Sequence, residues 1–594
     1  MRAIGSARAN WTAMASITFE RDGRRTRRLT LAAQGLFEIK ATLLRARRSL
    51  VEFGRSPRRL ARAADAAGYD HLVAESVTGL WSDPALAEQT MQLGKVQNLR
   101  LATAQLDGVV LEPGQTFSFW RQVGRATRRR GFVRGRMLQQ GCLIPAVGGG
   151  LCQLSNALYD VALAAGCRIV ERHAHSHRVP GSAAAEGHDA TVAWNYVDLR
   201  FEAPARMRLG VRLSERELIV SLRSRKPAAV ISSPLQDDDT VAVREAASCG
   251  SCDETDCRLH EGDRGPGVLA GRRAFLVDEA WPEFLAFVEA ERRPDDVIGA
   301  TDFRRWSAVG FAQAHAARRE GLVRSLGWRL TPPQGAARRS SDAGATAAIA
   351  RTLARRLAPD VTELVIAQSL LAALWRERAL GGRRFSVLMT RLPADVLQAR
   401  LDAALAAHPE RATLGDYRAE PWFAAAEAEA LAAAAEIVTP HAEIAALFGE
   451  RARRLDWRRP APPTRRPTPG DVFAFPGPTV ARKGAYEVRE AARRLGVTVR
   501  PTGAELEGAG FWSGLEVDRA SAGAGWLDGV RAVVHPAIAE GAPRRLLEAL
   551  AAGAPVITTE AAGLAPQPGL TIVPMGDVEA LVVAMGSCVV RDAP

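Results

Sequence analysis

Hydrophobic and polar positions follow two regimes along the chain. From residue 268 onward, short apolar runs lead into amphipathic helical stretches: "RRAFLVDEAW" at 272–281, "VTELVIAQSLLAALW" at 361–375, "FSVLMTRLP" at 385–393 and "AEIVTPHAEIAALF" at 435–448. Strands that alternate with helices predict a doubly wound parallel sheet, because a parallel crossover needs a helix to return the chain. The proline-rich stretch "RRPAPPTRRPTPG" at 458–470 is too stiff for a helix or an inner strand, so it separates two lobes, 268–457 and 471–594. In the second lobe, "VFAFPG", "VTVRPTG", "VRAVVHP", "APVITTE" and "LTIVPMG" are the strand candidates. Residues 67–224 follow a different rule. There "TVAWNYVDLRFE" at 191–202 alternates at period two and "LEPGQTFSFW" at 111–120 is a turn entering an aromatic strand, around one strong helix at 152–165. This predicts an α+β module, preceded by a basic helical segment (1–66) and followed by a polar connector (225–267).

Composition narrows the picture. At 594 residues the chain exceeds one ordinary hydrophobic core, which makes it multidomain, and its 47% apolar content supports folded domains. No run reaches the ~18 apolar residues of a membrane-spanning helix, and "MRAIGSARANWTAMASITFERD" lacks a compact signal-peptide core, so a soluble cytoplasmic protein is expected. The net charge of +13 is concentrated at one end: residues 1–63 hold fifteen Lys/Arg against four Asp/Glu. Such clustering can meet an anionic membrane surface or nucleic acid. Nucleic acid is disfavoured, since no aromatic stripe interleaves the arginines, and a merely solvated arginine-rich helix stands beside both. A phosphate-binding G-x-x-x-x-G-K-[ST] loop is absent.

Cysteine placement raises two chemistries. In "GGGLCQLSNALYDVAL", Cys152 opens a helix, where unpaired N–H groups and partial positive charge favour a thiolate. "CRIVERHAHSH" at 167–177 then offers His175, and "GHDATV" at 187–192 offers Asp189. Cysteine at a helix start, histidine after the next strand and a carboxylate on the following one is the chain order of papain-like and transglutaminase-like thiol enzymes, a resemblance of architecture only. A buried, inert cysteine is the competing reading, and His173 and His177 read as surface or core. Farther on, Cys249, Cys252, Cys257 and His260 in "SCGSCDETDCRLHE" form a C-x2-C-x4-C-x2-H pattern. Three thiolates and an imidazole suit zinc or an iron–sulfur cluster, with an unliganded redox-sensitive thiol group as the alternative.

The stretch "RAVVHPAIAEGAPRRLLEALAAGAPVITTEAAG" at 531–563 carries the most specific chemistry. A buried strand ends at Pro536, a loop presents Glu540 and Gly541, and a helix carries Glu548. The helix start can receive a diphosphate, with the two carboxylates placed on either side of it for sugar hydroxyls.

Two family resemblances follow from these motifs. "KVQNLRLATAQLDGVVLEPGQTFSFWRQVG", "GGGLCQLSNALYDVAL", "ERHAHSHRVPG" and "GHDATVAWNYVDLRF" resemble, in order, the VanW family, named for a gene of vancomycin-resistance clusters. The resemblance spans about 73–224 and implies an association with the cell envelope or glycopeptide resistance. Its motif positions fall on Gly148, Gly149, Gly150, Cys152, Gln153, Arg172, His175, Ser176 and Asp189. Residues 268–594, most strongly from 471, resemble GT-B glycosyltransferases of the family 4, group 1 type. That resemblance implies a retaining hexosyl transfer from a nucleotide-sugar donor to an acceptor the sequence does not name. Carried over, Glu540 would contact the donor sugar, Glu548 the ribose and Lys483 in "PGPTVARKGAYEV" the diphosphate. The arginine expected about five residues before Lys483 is replaced by "PGPT", leaving Arg482 as its substitute. The glycine-rich acceptor loop expected after "AFLVDEAW" is missing. The chain therefore reads as an α+β VanW-like module followed by a GT-B pair of Rossmann-like lobes. A nucleotide- or glycan-binding protein without turnover, and a Cys152-centred acyltransferase or amidase, are the rival readings.

Overall fold

The computed structural model describes residues 31–590 except 54–56, 64–65, 82–85, 140–141, 176, 179–187, 228–243, 246, 249–270, 302–305, 307–309, 312, 332–335, 417 and 520–524. The four members of the Cys249–His260 cluster lie outside the described residues. Among the described residues, no group of three or more His, Cys, Asp or Glu side chains is placed to hold a metal ion. Nor is any helix among them long and apolar enough to cross a membrane.

The amino-terminal module wraps antiparallel sheets around two helices. Strands His71–Gly79, Glu217–Ser224, Met207–Leu213 and Val110–Leu111 form one sheet in that order, and Thr116–Ser118, Arg200–Glu202 and Arg168–Glu171 form another. A hairpin, Arg134–Gln139 with Cys142–Val147, stands beside them. Their inward faces share one core that includes Leu99, Leu106, Leu158 and Val220, with Phe117 stacked on Phe201 at 4.6 Å.

Two elements depart from the sequence expectation. Helix Leu86–Leu106 runs through a region read as strands. Its buried positions include Gln92, Lys95, Asn98, Arg100 and Thr103, and polar residues on the inward face erase the apolar stripe by which a helix is recognised. Conversely, most of 191–202 is not a strand. Ala193 and Val197 exchange backbone hydrogen bonds of 2.9 and 3.0 Å across a tight turn, and Trp194 packs edge-on against Trp120.

The carboxyl half contains two parallel sheets. The first, of seven strands, runs Gln313–Ala316, Val297–Ala300, Arg272–Val277, Val361–Ala367, Arg384–Leu388, Glu436–Thr439, Ala452–Arg454. The second, of five, runs Val499–Pro501, Val472–Phe475, Val530–His535, Val556–Thr558, Leu570–Ile572. The central strands are almost wholly buried, as parallel strands covered by helices on both faces must be. In each sheet the chain leaves the first strand in one direction and later returns to its other side. This reversal opens a crevice at the carboxyl ends of neighbouring strands, where open α/β sheets hold ligands. In the second lobe it falls between Val472–Phe475 and Val530–His535.

The amino-terminal module is keyed to the first lobe through one turn. Gly382 N donates to Ser214 O at 2.8 Å, Arg100 Nε donates to Gly381 O at 2.8 Å, and Arg378 pairs with Asp107. Gly382 has φ +66°, and a Cβ there would stand 2.4 Å from Val96 Cγ1, so only glycine permits this approach.

Candidate functional site

Two sites emerge, one in each half. The first is built on helix Leu151–Ala164. Gly150 caps its start at φ +95°, and a Cβ on Gly150 would stand 2.2 Å from Lys95 Cγ. The turn is pinned from beneath by Asn98, whose amide donates to Gly149 O at 2.9 Å. On the next turn of the helix, Ser155 donates to Ala190 O at 2.5 Å and Asn156 accepts from Ala190 N at 2.8 Å. These bonds fix the segment carrying Asp189 alongside the helix.

The consequence is a hydrogen-bonded row. Asp189 accepts from the His175 backbone N–H at 2.5 Å and from Nδ1–H at 2.6 Å. The other ring nitrogen is left to bond Cys152. The sulfur also lies 3.7 Å from Thr191 Oγ1. Burial alone would depress the His175 pKa, but the bonds to Asp189 and Cys152 outweigh it and raise the imidazole to about 10. Burial pushes the Cys152 thiol up, and the bond and charge of His175 more than offset it, leaving the thiol below its usual value. Both shifts favour a thiolate beside an imidazolium.

Arg172 donates to Asp189 O at 2.7 Å and stacks over the Tyr159 ring. Gln153 ties the helix to the first strand through Thr78 Oγ1 and Gly79 O. Ser176 lies outside the described residues, and His173 is half exposed, 3.4 Å from Glu171. Lys95, unremarked in the sequence, is buried under the glycine turn near Arg136, and desolvation followed by that like charge lowers its pKa to about 7.

A kinetic prediction follows. Iodoacetamide should alkylate Cys152 faster at pH 7 than an ordinary thiol, with a midpoint below the usual value of about 8.5, because the bond and charge of His175 favour the thiolate. His175→Ala should move that midpoint upward and slow labelling at pH 7 by about tenfold or more, read by mass spectrometry of the labelled peptide. A wild-type midpoint at or above the ordinary value would contradict the pairing.

The second site occupies the crevice of the last lobe. Two loops at neighbouring strand ends meet there: 476–484, ending in the 3-10 turn Ala481–Lys483, and 536–543, leading into helix Arg544–Ala551. Lys483 Nζ lies 2.6 Å from Glu540 Oε2 and donates to Ala539 O at 3.2 Å. His535 Nε2–H donates to the same carboxylate oxygen at 2.9 Å, while Ala542 N donates to Oε1 at 2.9 Å. All three side chains are substantially buried. Desolvation would raise the Glu540 pKa, yet the Lys483 charge and the His535 bond hold it well below the usual carboxylate range. Desolvation dominates at His535 and Lys483, lowering both. The charge of Arg482 is felt at both.

The first lobe closes over this cluster. His441 Nε2–H donates to Glu540 O at 3.1 Å, and Gly541 faces Thr390 and Arg391, where a Cβ would stand 2.7 Å from Arg391 Cγ. Glu548 is not drawn into the cluster. It sits partly exposed on the following helix, 3.0 Å from Arg545. Where the family arginine is expected, Gly477 instead lets the backbone pass beside the His535 ring, with a notional Cβ 3.2 Å from its Cε1. His535, His441 and Arg391 went unread in the sequence. The signal available for them was positional, each following or ending a strand at its carboxyl end.

Comparison with known proteins finds a family match in each half. Residues 94–223 match the family model described as VanW like protein. The chain carries a VanW-like domain. Uncharacterized protein YoaR of Bacillus subtilis (strain 168) is 39% identical over 105 residues, 18% of this chain and 34% of that protein. Vancomycin B-type resistance protein VanW of Enterococcus faecalis (strain ATCC 700802 / V583) is 35% identical over 133 residues, 22% of this chain and 48% of that protein. The chain thus spans between a third and a half of the length of these curated relatives. Residues 517–589 match the model described as Glycosyl transferases group 1, which places Glu540 and Glu548 in a group 1 glycosyltransferase domain. Solved structures aligned with the chain include the lipopolysaccharide outer core galactosyltransferase WaaB, at 15% identity, 54% of this chain, 91% of that one and a TM-score of 0.34. Another is Anabaena HepE in complex with UDP-glucose, at 13% identity, 54% and 90% coverage and a TM-score of 0.32. The two parallel sheets of the carboxyl half, of seven and five strands, match the pair of Rossmann-like lobes expected from the sequence.

Proposed function

We propose that the carboxyl half transfers a hexosyl group, with retention, from a nucleotide-sugar donor held between its lobes to an acceptor connected with the cell envelope. The observation that carries this reading is the Lys483–Glu540–His535 cluster, built at the second lobe's strand reversal and faced by His441 and Arg391 of the first. In the chemistry proposed, the C1–oxygen bond to the diphosphate breaks and the acceptor oxygen bonds C1. The acceptor's proton is lost to solvent, and nucleoside diphosphate leaves. Lys483 and Arg482 neutralise the charge growing on that leaving group, the type of fixed electrostatic contribution that dominates such steps. Donor entry therefore exchanges partners: phosphate takes over Lys483, and Glu540 turns its freed lone pairs to sugar hydroxyls. Glu548 is assigned to the ribose through the family resemblance. Nucleoside diphosphate release measured across a panel of nucleotide sugars tests this reading. Turnover of one donor supports it, whereas binding without turnover leaves the half a nucleotide- or glycan-binding module.

A second reading concerns the other half. The Cys152–His175–Asp189 row supports thiol acyl transfer, in which the thiolate attacks an acyl carbonyl, His175 protonates the leaving group, and an amine or water later cleaves the thioester. Its first requirement is the low alkylation midpoint described above.

A further inference from the structure

Helix Leu31–Val51 has two opposed faces. One is fastened to the VanW-like domain: Ala41 is buried, Arg45 Nε donates to Trp194 O at 2.9 Å, Arg48 pairs with Glu171 at 2.6 Å, and Glu52 just beyond the helix pairs with Arg200 at 2.6 Å. These positions recur at three and four residues and so form a single stripe. Leu36, Ile39, Leu43 and Leu50 fall on the opposite side of the helix at the same spacing. They are 66, 60, 66 and 77% exposed, and Phe53 just past the helix end is 89% exposed. An apolar stripe is ordinarily what a helix turns toward its own core. Here the charged face docks and the apolar face looks outward.

We infer that this helix lies in the headgroup region of an anionic bilayer and seats the protein on it. Charge selects this occupant. Lys40 and Arg47 are exposed beside the stripe, and residues 1–30, which precede the helix, add seven arginines against Glu20 and Asp22. A cationic border around an apolar stripe matches anionic headgroups over acyl chains, with insertion and charge attraction contributing together. A second copy of the chain would instead bring like charges face to face. The Arg45 and Arg48 anchors fix the helix's orientation on the domain, so the stripe is available without any rearrangement. Membrane seating of this kind is independent of which reaction either half performs.

Co-sedimentation of the full chain with vesicles of phosphatidylcholine, and of phosphatidylcholine mixed with phosphatidylglycerol, tests the inference. The chain should bind the anionic vesicles much more strongly, with part of the binding surviving high salt. The double variant Leu43→Ser/Leu50→Ser should weaken binding by roughly tenfold or more. Its thermal midpoint in solution should be unchanged, because neither side chain packs inside the fold. Three results would overturn the inference: no binding to anionic vesicles; binding unaffected by the leucine changes and abolished by salt, which would assign it to the arginines of 1–30; or a wild-type dimer in solution that the variant converts to monomer.

Discussion

Glu540→Gln should lower donor turnover by roughly 10²- to 10³-fold, the usual cost of deleting one fixed electrostatic contact at a reacting centre. The substitution keeps the side chain's volume and leaves an oxygen for the Ala542 N–H. It also places an amide donor among two others, Lys483 Nζ and His535 Nε2–H, where the carboxylate accepted both. Lys483 then has no counter-charge, and since burial already lowers its pKa, the loss drives it further toward the neutral amine. One replacement thus removes the group proposed to meet the sugar and weakens the cation proposed to meet the diphosphate. Stability also falls, by about 3 kcal/mol, because a buried charge loses its partner. The pH dependence has a definite sign. Glu540 has a depressed folded pKa, so its stabilisation is complete above the unfolded value of 4.5 and is lost as pH falls toward the folded one. Acid unfolding monitored by circular dichroism should therefore be less steep in the variant than in the wild type. Wild-type turnover in Glu540→Gln would remove Glu540 from the chemistry.

Arg544→Ala should produce the largest structural effect. Arg544 begins the helix after the Glu540 loop and reaches across to Glu283 of the first lobe, making a two-pronged bond with Nη1 at 2.9 Å from Oε1. Its guanidinium lies between Trp281 and Trp457, 5.1 and 5.4 Å from their ring centres. The Glu283 side chain has no solvent exposure, and among the described residues its other bond is a single N–H from Arg458 at 2.7 Å. Removing Arg544 strands a buried carboxylate, at a cost of about 3–5 kcal/mol, and forfeits the ring contacts as well. In a lobe of this size that corresponds to a fall in thermal midpoint on the order of 10 °C. Arg544→Lys should recover little of it, since a point ammonium cannot reproduce the planar fork. A differential scanning trace in which Arg544→Ala melts with the wild type would show that the lobes are held together elsewhere.

Legibility of the sequence tracked how directly each pattern reflects burial. Parallel strands covered on both faces must be apolar throughout, so "RRAFLV", "VTELVIA" and "VRAVVH" announced themselves and gave the two-lobed half its outline. Helix Leu86–Leu106 stayed hidden because its inward face carries Gln92, Lys95, Asn98, Arg100 and Thr103, of which Asn98 and Arg100 hold neighbouring turns. The Cys152 row was legible in its members, since one helix start and two following segments supply them in order. What chain order cannot supply is the pinning by Ser155, Asn156 and Asn98, which depends on three-dimensional neighbours. Likewise Glu540 and Lys483 stood out by motif. Their mutual ion pair, the sharing of Glu540 with His535, and Glu283's grip on Arg544 arise only when loops distant in sequence converge.

The central claim is that the crevice lined by Lys483 and Glu540 grips a nucleoside diphosphate. Titration calorimetry of nucleoside diphosphates into the wild-type chain and into Lys483→Met tests it most directly. The wild type should bind at least one of them at a single site, and Lys483→Met should bind it at least roughly tenfold more weakly, the worth of one hydrogen bond to a charged group. Equal affinity in the two proteins, or no nucleotide bound by the wild type, would contradict it.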